Sequence, residues 1–251
     1  MTNPVTLVPR IRPRALAPRG AGRTHTGLVR QVNEDAILTD PAGILWAVAD
    51  GMGGHGQGDI AADVVIDSLL RLPHSGDPRH MLAMALEDAN AIVFDRSQGA
   101  GNGIMGATIV AAVVEGGSAV LAWVGDSRGC LIRDGKLTRL TKDHSLVQEM
   151  VDAGDLPPEL AEAHPQANVV TRAIGAAKHV EIDFNQTALR AGDVLLLCSD
   201  GLSKCVPDAH IAALLGKVGS PEAACIELVR AALRAGGPDN VSVIVVFMEE
   251  A

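Results

Sequence analysis

The spacing of apolar residues changes several times along the first third of the chain, and each change marks a predicted element. The runs AILTD and GILWAVAD, at residues 36–40 and 43–50, predict two strands joined through the turn at residues 41–43. Apolar residues three and four apart from Asp59 to Leu72, and again from Met81 to Phe94, predict two helices. The chain therefore opens with a hairpin followed by a helical pair.

The rest of the chain is dominated by apolar, β-rich runs bounded by turn signals. The predicted strands are residues 106–114, 118–126, 129–133, 136–141, 193–199 and 241–248. The predicted helices are a short one ending at Gly154 and two segments on either side of Ser220-Pro221.

The strands are too continuously apolar for a sheet with one face in water, so both of their faces must be covered. Two packed sheets with helices outside would satisfy this requirement, and so would a doubly wound parallel sheet. The crowded hairpin signals between residues 106 and 141 favour the antiparallel sandwich.

Charge and composition narrow the classes of partner. The 251 residues carry a formal net charge of −9, which argues against nucleic acid and anionic membranes as partners. Three Phe, two Trp and no Tyr leave little for base stacking. No apolar run reaches about 18 residues and no signal peptide is evident, so we predict a cytoplasmic protein.

The N-terminal segment differs from the rest of the chain. Residues 1–23 are rich in proline and arginine, which predicts a flexible, solvated tail. No second linker or internal repeat follows, so residues 24–251 are predicted to form a single domain.

Aspartates stand where several apolar runs end. Predicted strands run into Asp50, Asp126 and Asp200, and Asp239 precedes the last strand. A single aspartate of this kind is usually a turn residue, but four beside buried strands would gather negative charge that needs a cation. Carboxylates without a matching His or Cys set favour Mg²⁺ or Mn²⁺ over zinc. Gly51, which follows Asp50 and has no Cβ, would let its carbonyl approach such an ion.

A second polar cluster lies upstream, in GLVRQVNEDA. Arg30 is suited to clamping a phosphate through two hydrogen bonds, with Glu34 and Asp35 nearby as further ligands. Taken alone, this motif could equally be a surface salt bridge.

The ordered motifs together carry a specific resemblance. They are GLVRQVNEDA, VADGMGGH, GATIV, WVGDSRGCLIRDGKLTRLTKDHS, NVVTRAIG, CSDGL and GGPDNVSVIVV. The series, from Thr24 to Phe247, closely resembles the metal-dependent Ser/Thr protein phosphatases of the PPM (type 2C) family in their compact bacterial form. The resemblance implies a four-layer αββα sandwich of the α+β class, with two mainly antiparallel sheets, outer helices and a metal site in the cleft at one end.

The resemblance also implies a role for each motif residue. Two core Mn²⁺ or Mg²⁺ ions are expected. Asp50 would bridge them, Gly51 would bind through its carbonyl, and Asp200 and Asp239 would complete the first site. Asp126 matches the acid that bacterial members use for a third, weaker ion, and Asp35 lies near that outer position. Glu34 is expected to hold metal-bound water, and Arg30 to bind the substrate phosphate. Asn240 is expected to support the last ligand.

Residues 143–175 and Met52 each allow more than one interpretation. Residues 143–175 correspond to the mobile flap of bacterial members, although they could equally be an exposed connection. Met52 stands where many eukaryotic members have a histidine proposed to protonate the leaving alcohol. Methionine cannot donate that proton, so water is the expected donor, with His55 as the alternative.

We therefore predict a monomeric Mg²⁺- or Mn²⁺-dependent phosphatase that hydrolyses phosphoserine and phosphothreonine in proteins by direct attack of a metal-activated water. By analogy with bacterial relatives, its partners are a Hanks-type Ser/Thr kinase and that kinase's substrates. A non-catalytic scaffold on the same fold is disfavoured by the intact acids. A Mg²⁺-dependent nucleotide enzyme is disfavoured because no G-x-x-x-x-G-K-[ST] loop is present.

Overall fold

Two five-stranded antiparallel sheets form the centre of the protein in a computed structural model that describes residues 16–53, 57–73, 75–99 and 105–251. The first sheet has the strand order β1-β10-β9-β6-β7 and the second β2-β3-β4-β5-β8. The strands are β1 (Leu16–His25), β2 (Asp35–Thr39), β3 (Leu45–Gly53), β4 (Met105–Glu115), β5 (Ser118–Val124), β6 (Arg128–Arg133), β7 (Lys136–Arg139), β8 (Asp183–Ala188), β9 (Val194–Cys198) and β10 (Val241–Glu250).

The described residues form six helices. They are α1 (Gly58–Leu70), α2 (Pro78–Gly99), α3 (Leu146–Ala153), α4 (Asp200–Ser203), α5 (Asp208–Leu215) and α6 (Pro221–Arg234), with one 3₁₀ turn at Pro158–Leu160. Helices α1 and α2 pack on the second sheet, and α5 and α6 on the first. Within the described residues, no helix combines the length and apolar character needed to cross a bilayer.

The continuous apolar runs are explained by burial on both faces. In β10, Val243 and Val245 pack toward the helices, whereas Ile244 and Val246 pack between the sheets. Strand β4 alternates in the same way between α1 with α2 on one side and the first sheet on the other. The predicted αββα sandwich is therefore confirmed. Every strand pair in the described part of the chain is antiparallel, which excludes the doubly wound alternative.

The N-terminal boundary differs from the prediction. Sequence composition places a tail at residues 1–23, but residues 16–23 lie in β1, paired along β10 at the edge of the first sheet. A Cβ added at Gly20 would lie 2.5 Å from the Trp46 ring, so this glycine lets β1 pack closely against the second sheet. Of the residues in this segment, Gly20 meets a packing requirement. Residues 1–15 lie outside the described residues.

Three further elements depart from the sequence prediction. Strand β3 continues past Asp50 to Gly53, because residues 50–53 pair with the start of β4. Strand β8, whose residues are largely polar, and the single-turn helix α4 are not predicted from apolar spacing.

Candidate metal centre

Asp35 and Asp50 bring two carboxylates together at one end of the second sheet. They occupy opposite positions in the antiparallel register of β2 and β3. The Ser199 hydroxyl, from the first sheet, donates a hydrogen bond of 2.9 Å to Asp35 Oδ2. Asp35 Oδ1 is buried and has no hydrogen-bond partner within the described part of the chain. Like charges facing each other on a sheet destabilise it, so this pair calls for a cation.

The first sheet contributes Asp200 and Asp239 to the same end. Asp200 opens α4 directly after β9, and Asp239 lies just before β10, the neighbouring strand. The Ser199 and Ser242 backbones fasten these two strand ends, since Ser199 N–H donates to the Ser242 carbonyl at 3.0 Å. The strand ends that carry these acids in the two sheets therefore lie close together.

The acids strongly perturb one another. Burial, together with the charges of Asp35, Asp200, Asp126 and Asp239, raises the pKa of Asp50 well above its ordinary value. Burial also raises the pKa of Asp35 to about 7, against the opposing effect of its serine hydrogen bonds. Charged carboxylates are disfavoured at such close quarters, and a multivalent cation would reverse that preference.

The loop between β1 and β2 carries Arg30 and Glu34 and is fastened to the site by Asn240. The Asn240 amide donates to the carbonyls of Thr26, at 2.9 Å, and Val32, at 3.0 Å. Its Oδ1 accepts the Glu34 N–H at 2.7 Å. Arg30 then reaches Asp239 Oδ2 at 2.7 Å while its side chain stays 55% exposed. An exposed guanidinium at the rim of an acidic site is placed to meet an incoming anion.

Gly51 and Gly58 are required by backbone packing. A Cβ at Gly51 would lie 2.0 Å from the Gly58 carbonyl oxygen and 2.6 Å from that of Glu34. A Cβ at Gly58 would lie 2.8 Å from Glu34 Oε1. The two glycines thus let the β3 end, the α1 start and Glu34 meet without side chains between them. Residues 54–56, which include His55, lie outside the described residues.

Asp126 lies in the short connection between β5 and β6, which crosses from one sheet to the other. Its side chain is only 3% exposed and is met by Lys204, whose Nζ lies 2.9 Å from Asp126 Oδ2 and 2.7 Å from Asp200 Oδ2. Burial raises the pKa of Asp126, and Lys204 opposes that rise. The positive charge in direct contact with the Asp126 carboxylate is therefore Lys204.

The donor set fits hard divalent ions in its core. Carboxylate and carbonyl oxygens are the ligands that Mg²⁺ and Mn²⁺ prefer. Asp35 Oδ1 is a buried oxygen without a hydrogen-bond partner in the described part of the chain, so it is available to bind an ion. Within the described residues, no group of three acidic, histidine or cysteine side chains is already closed around one point. Both Asp239 oxygens accept hydrogen bonds, Oδ2 from Arg30 and Oδ1 from the Asn240 N–H, whereas Lys204 binds one oxygen of Asp200. Binding of an ion by Asp239 therefore requires at least Arg30 to release its carboxylate.

An ion-pair network anchors the segment predicted as a flap. The buried Arg128 guanidinium binds both oxygens of Asp143 and also Glu162, which lies within the segment. Arg139 of β7 binds Glu162 as well, at 3.1 Å. A cavity of about 470 Å³ lies between this segment and Lys204. The segment thus covers a cavity whose wall includes Lys204.

Comparison with known proteins identifies the family. The family model described as Protein phosphatase 2C matches residues 19–235. The chain belongs to the protein phosphatase 2C family.

Several family members are similar over nearly the whole chain. Serine/threonine protein phosphatase PstP of Mycobacterium tuberculosis is 42% identical over 92% of this chain, which spans only 45% of PstP. Protein phosphatase PhpP of Streptococcus pneumoniae is 37% identical, and the alignment covers 90% of this chain and 96% of PhpP. Thus the chain spans about half of the first of these relatives and nearly all of the second.

Solved family structures agree with the fold. The catalytic domain of PstP, in complex with 2 manganese ions, superposes with a TM-score of 0.86 at 38% identity, covering 94% of this chain and all of that one. A Staphylococcus aureus phosphatase, Stp1, superposes equally well at 34% identity, covering 97% of this chain and all of that one.

The structure brings all eight predicted site residues of this phosphatase 2C chain to one end of the sandwich. They are Arg30, Glu34, Asp35, Asp50, Gly51, Asp126, Asp200 and Asp239. Sequence reasoning missed Lys204 and Ser199. The spacing of Lys204, four residues after Asp200, is the signal that could have revealed it, because a helical turn brings such residues together.

Proposed function

We propose that this protein is a Mg²⁺- or Mn²⁺-dependent phosphatase that removes phosphate from serine and threonine side chains of proteins. The single observation that carries the proposal is the convergence of five aspartates beside Arg30, whose exposed guanidinium is positioned to bind a phosphate. Family membership supports the same reading, since curated relatives at 34–42% identity are named Ser/Thr phosphatases.

The proposed roles follow the donor chemistry. Asp50, Asp200, Asp239 and the Gly51 carbonyl would hold the core ions, with Asp35 as a further oxygen ligand. When bound, two such ions supply an activated water and neutralise phosphoryl oxygens. Glu34, whose carboxylate lies against Gly58 at the start of α1, would orient that water. Arg30 would leave Asp239 and grip two oxygens of the phosphate.

The surface around Arg30 suits a polypeptide substrate. Leu28 is 65% exposed, Val29 68% and Val32 53%, so large apolar side chains flank the guanidinium on its loop. Such residues offer contact area to the chain on either side of a phosphorylated residue, which a small phosphoester would not use. A bacterial Hanks-type kinase and its targets are the partners we propose, with the enzyme acting as a cytoplasmic monomer.

The first test is metal-dependent hydrolysis. We expect chelator-treated protein to hydrolyse a phosphothreonine peptide at least about 10³-fold more slowly than the same protein with Mn²⁺ restored, because the ions supply several kcal/mol of charge stabilisation. Released phosphate measures the rate. A scaffold would show no turnover under either condition. A nucleotide enzyme would prefer ATP to the peptide, and either result would refute the proposal.

A second test concerns the phosphate clamp. We expect Arg30→Ala to lower kcat/KM for the peptide by about 10- to 100-fold, since a charge-assisted hydrogen-bond pair is worth about 1.5–3 kcal/mol. Arg30→Lys should recover only part of this loss, because an ammonium lacks the planar fork. Arg230→Ala, at a similarly exposed arginine on α6, is the matched control and should stay within about twofold of wild type. Equal kinetics for the Arg30 and Arg230 variants would remove Arg30 from the site.

A further inference from the structure

Asp126, the acid that the resemblance assigns to a third ion, is already paired with a positively charged side chain, Lys204. Lys204 Nζ lies within hydrogen-bond distance of both Asp126, in the connection between the sheets, and Asp200, at the start of α4. Asp126 is nearly fully buried, and Lys204 is itself mostly covered, with 21% of its side chain exposed. A lysine on the surface could swing away from such a contact, but one held between two acids gains from staying.

The backbone places Lys204 next to Asp200 in space. Its N–H donates to the Asp200 carbonyl at 2.8 Å, closing the turn of α4, so the side chain emerges one helical turn after Asp200 and on the same side. The ammonium has three donors and two of them are used by the two carboxylates. The fold therefore sets where the Lys204 side chain begins, and the two carboxylates hold its ammonium.

We propose that Lys204 supplies a built-in cation at the position where the family resemblance places a third metal ion, so that this protein binds ions only at its core. The inference rests on the metal centre in the proposed function. A divalent ion placed on Asp126 Oδ2 and Asp200 Oδ2 would be repelled by the ammonium, which already binds both oxygens. The core ions would use the other carboxylate oxygen of Asp200. Asp126 then serves as counter-ion to Lys204 rather than as a metal ligand.

Removing the lysine should create the missing site. Lys204 lines the cavity beside the flap segment and its Nζ contacts Asp126, so loss of the ammonium would leave that carboxylate next to the cavity. Lys204→Met keeps most of the length and apolar character of the side chain but removes its charge. The carboxylates of Asp126 and Asp200 would then face each other without a cation, which favours capture of a divalent ion.

The experiment counts bound Mn²⁺ per chain by equilibrium dialysis and elemental analysis, from micromolar to millimolar free metal. We expect wild type and Asp126→Asn to bind the same number of ions, since the proposal gives Asp126 no ion. Lys204→Met should bind about one more, and Lys204→Met with Asp126→Asn should return to the wild-type number. Lys217→Met, at an exposed lysine after α5, is the control and should match wild type.

Two results would overturn the inference. One is loss of an ion in Asp126→Asn, which would show that wild type already uses this acid as a ligand. The other is an unchanged count in Lys204→Met that circular dichroism shows to be folded. If that variant does not fold, the comparison of wild type with Asp126→Asn still decides. Because ions are counted without turnover, a failure of the phosphatase assay would be seen separately.

Discussion

Replacement of Asp50 with asparagine is expected to lower kcat/KM for a phosphothreonine peptide by about 10³-fold or more, with little loss of stability. Asp50 faces Asp35 across the strand pair and is surrounded by the other acids of the centre, so its charge is the one most exposed to their repulsion. Asparagine keeps the shape but removes the negative charge that would bind the ions, and with it several kcal/mol of catalysis.

Stability measurements separate this loss from unfolding. The metal-free Asp50→Asn protein should melt at or above the wild-type temperature, because the substitution removes repulsion within the acidic centre. Added Mn²⁺ should raise the melting temperature of wild type much more than that of the variant, since only wild type keeps the full ligand set. Asp63→Asn, at an exposed acid on α1, is the matched control and should behave as wild type. Full activity in Asp50→Asn would refute the proposed metal centre.

The repeated pairing of apolar runs with single acids made much of this centre predictable. Because β9 and β10 are buried on both faces, their apolar residues are continuous in sequence and their ends are easy to locate at Asp200 and Asp239. Asp50 is different, since β3 continues to Gly53 and the acid lies within the pairing with β4. The approximate position of that acid could be predicted, but not its neighbour across the strand.

The spacing of apolar residues does not predict contacts between segments that are distant in sequence. Strand β1 has few apolar residues, and its place depends on Gly20 fitting against Trp46 of the other sheet. Lys204 is similar, since its partner Asp126 lies 78 residues away along the chain. In both cases one contact joins segments that are distant in sequence, and local spacing does not predict it; for Lys204, local spacing predicts only the contact with Asp200.

Replacement of Gly201 with alanine is expected to have the largest effect on folding. A Cβ at Gly201 would lie 1.9 Å from the Asn240 carbonyl oxygen, a backbone atom immediately before β10. That strand is paired with β1 on one side and β9 on the other, so the backbone has little freedom to yield. Overpacking of this kind costs about 3 kcal/mol, and the melting temperature should fall by roughly 6–12 °C.

The same clash would also disturb the loop between β1 and β2. Displacing Asn240 would weaken its hydrogen bonds to Thr26, Val32 and Glu34, which hold the loop that carries Arg30. Activity of Gly201→Ala should therefore fall even at temperatures where the variant is folded. Gly219→Ala is the matched control, because a Cβ there meets no atom within 4 Å. Equal melting temperatures and equal rates in the two variants would show that the contact between α4 and β10 is not what holds the loop in place.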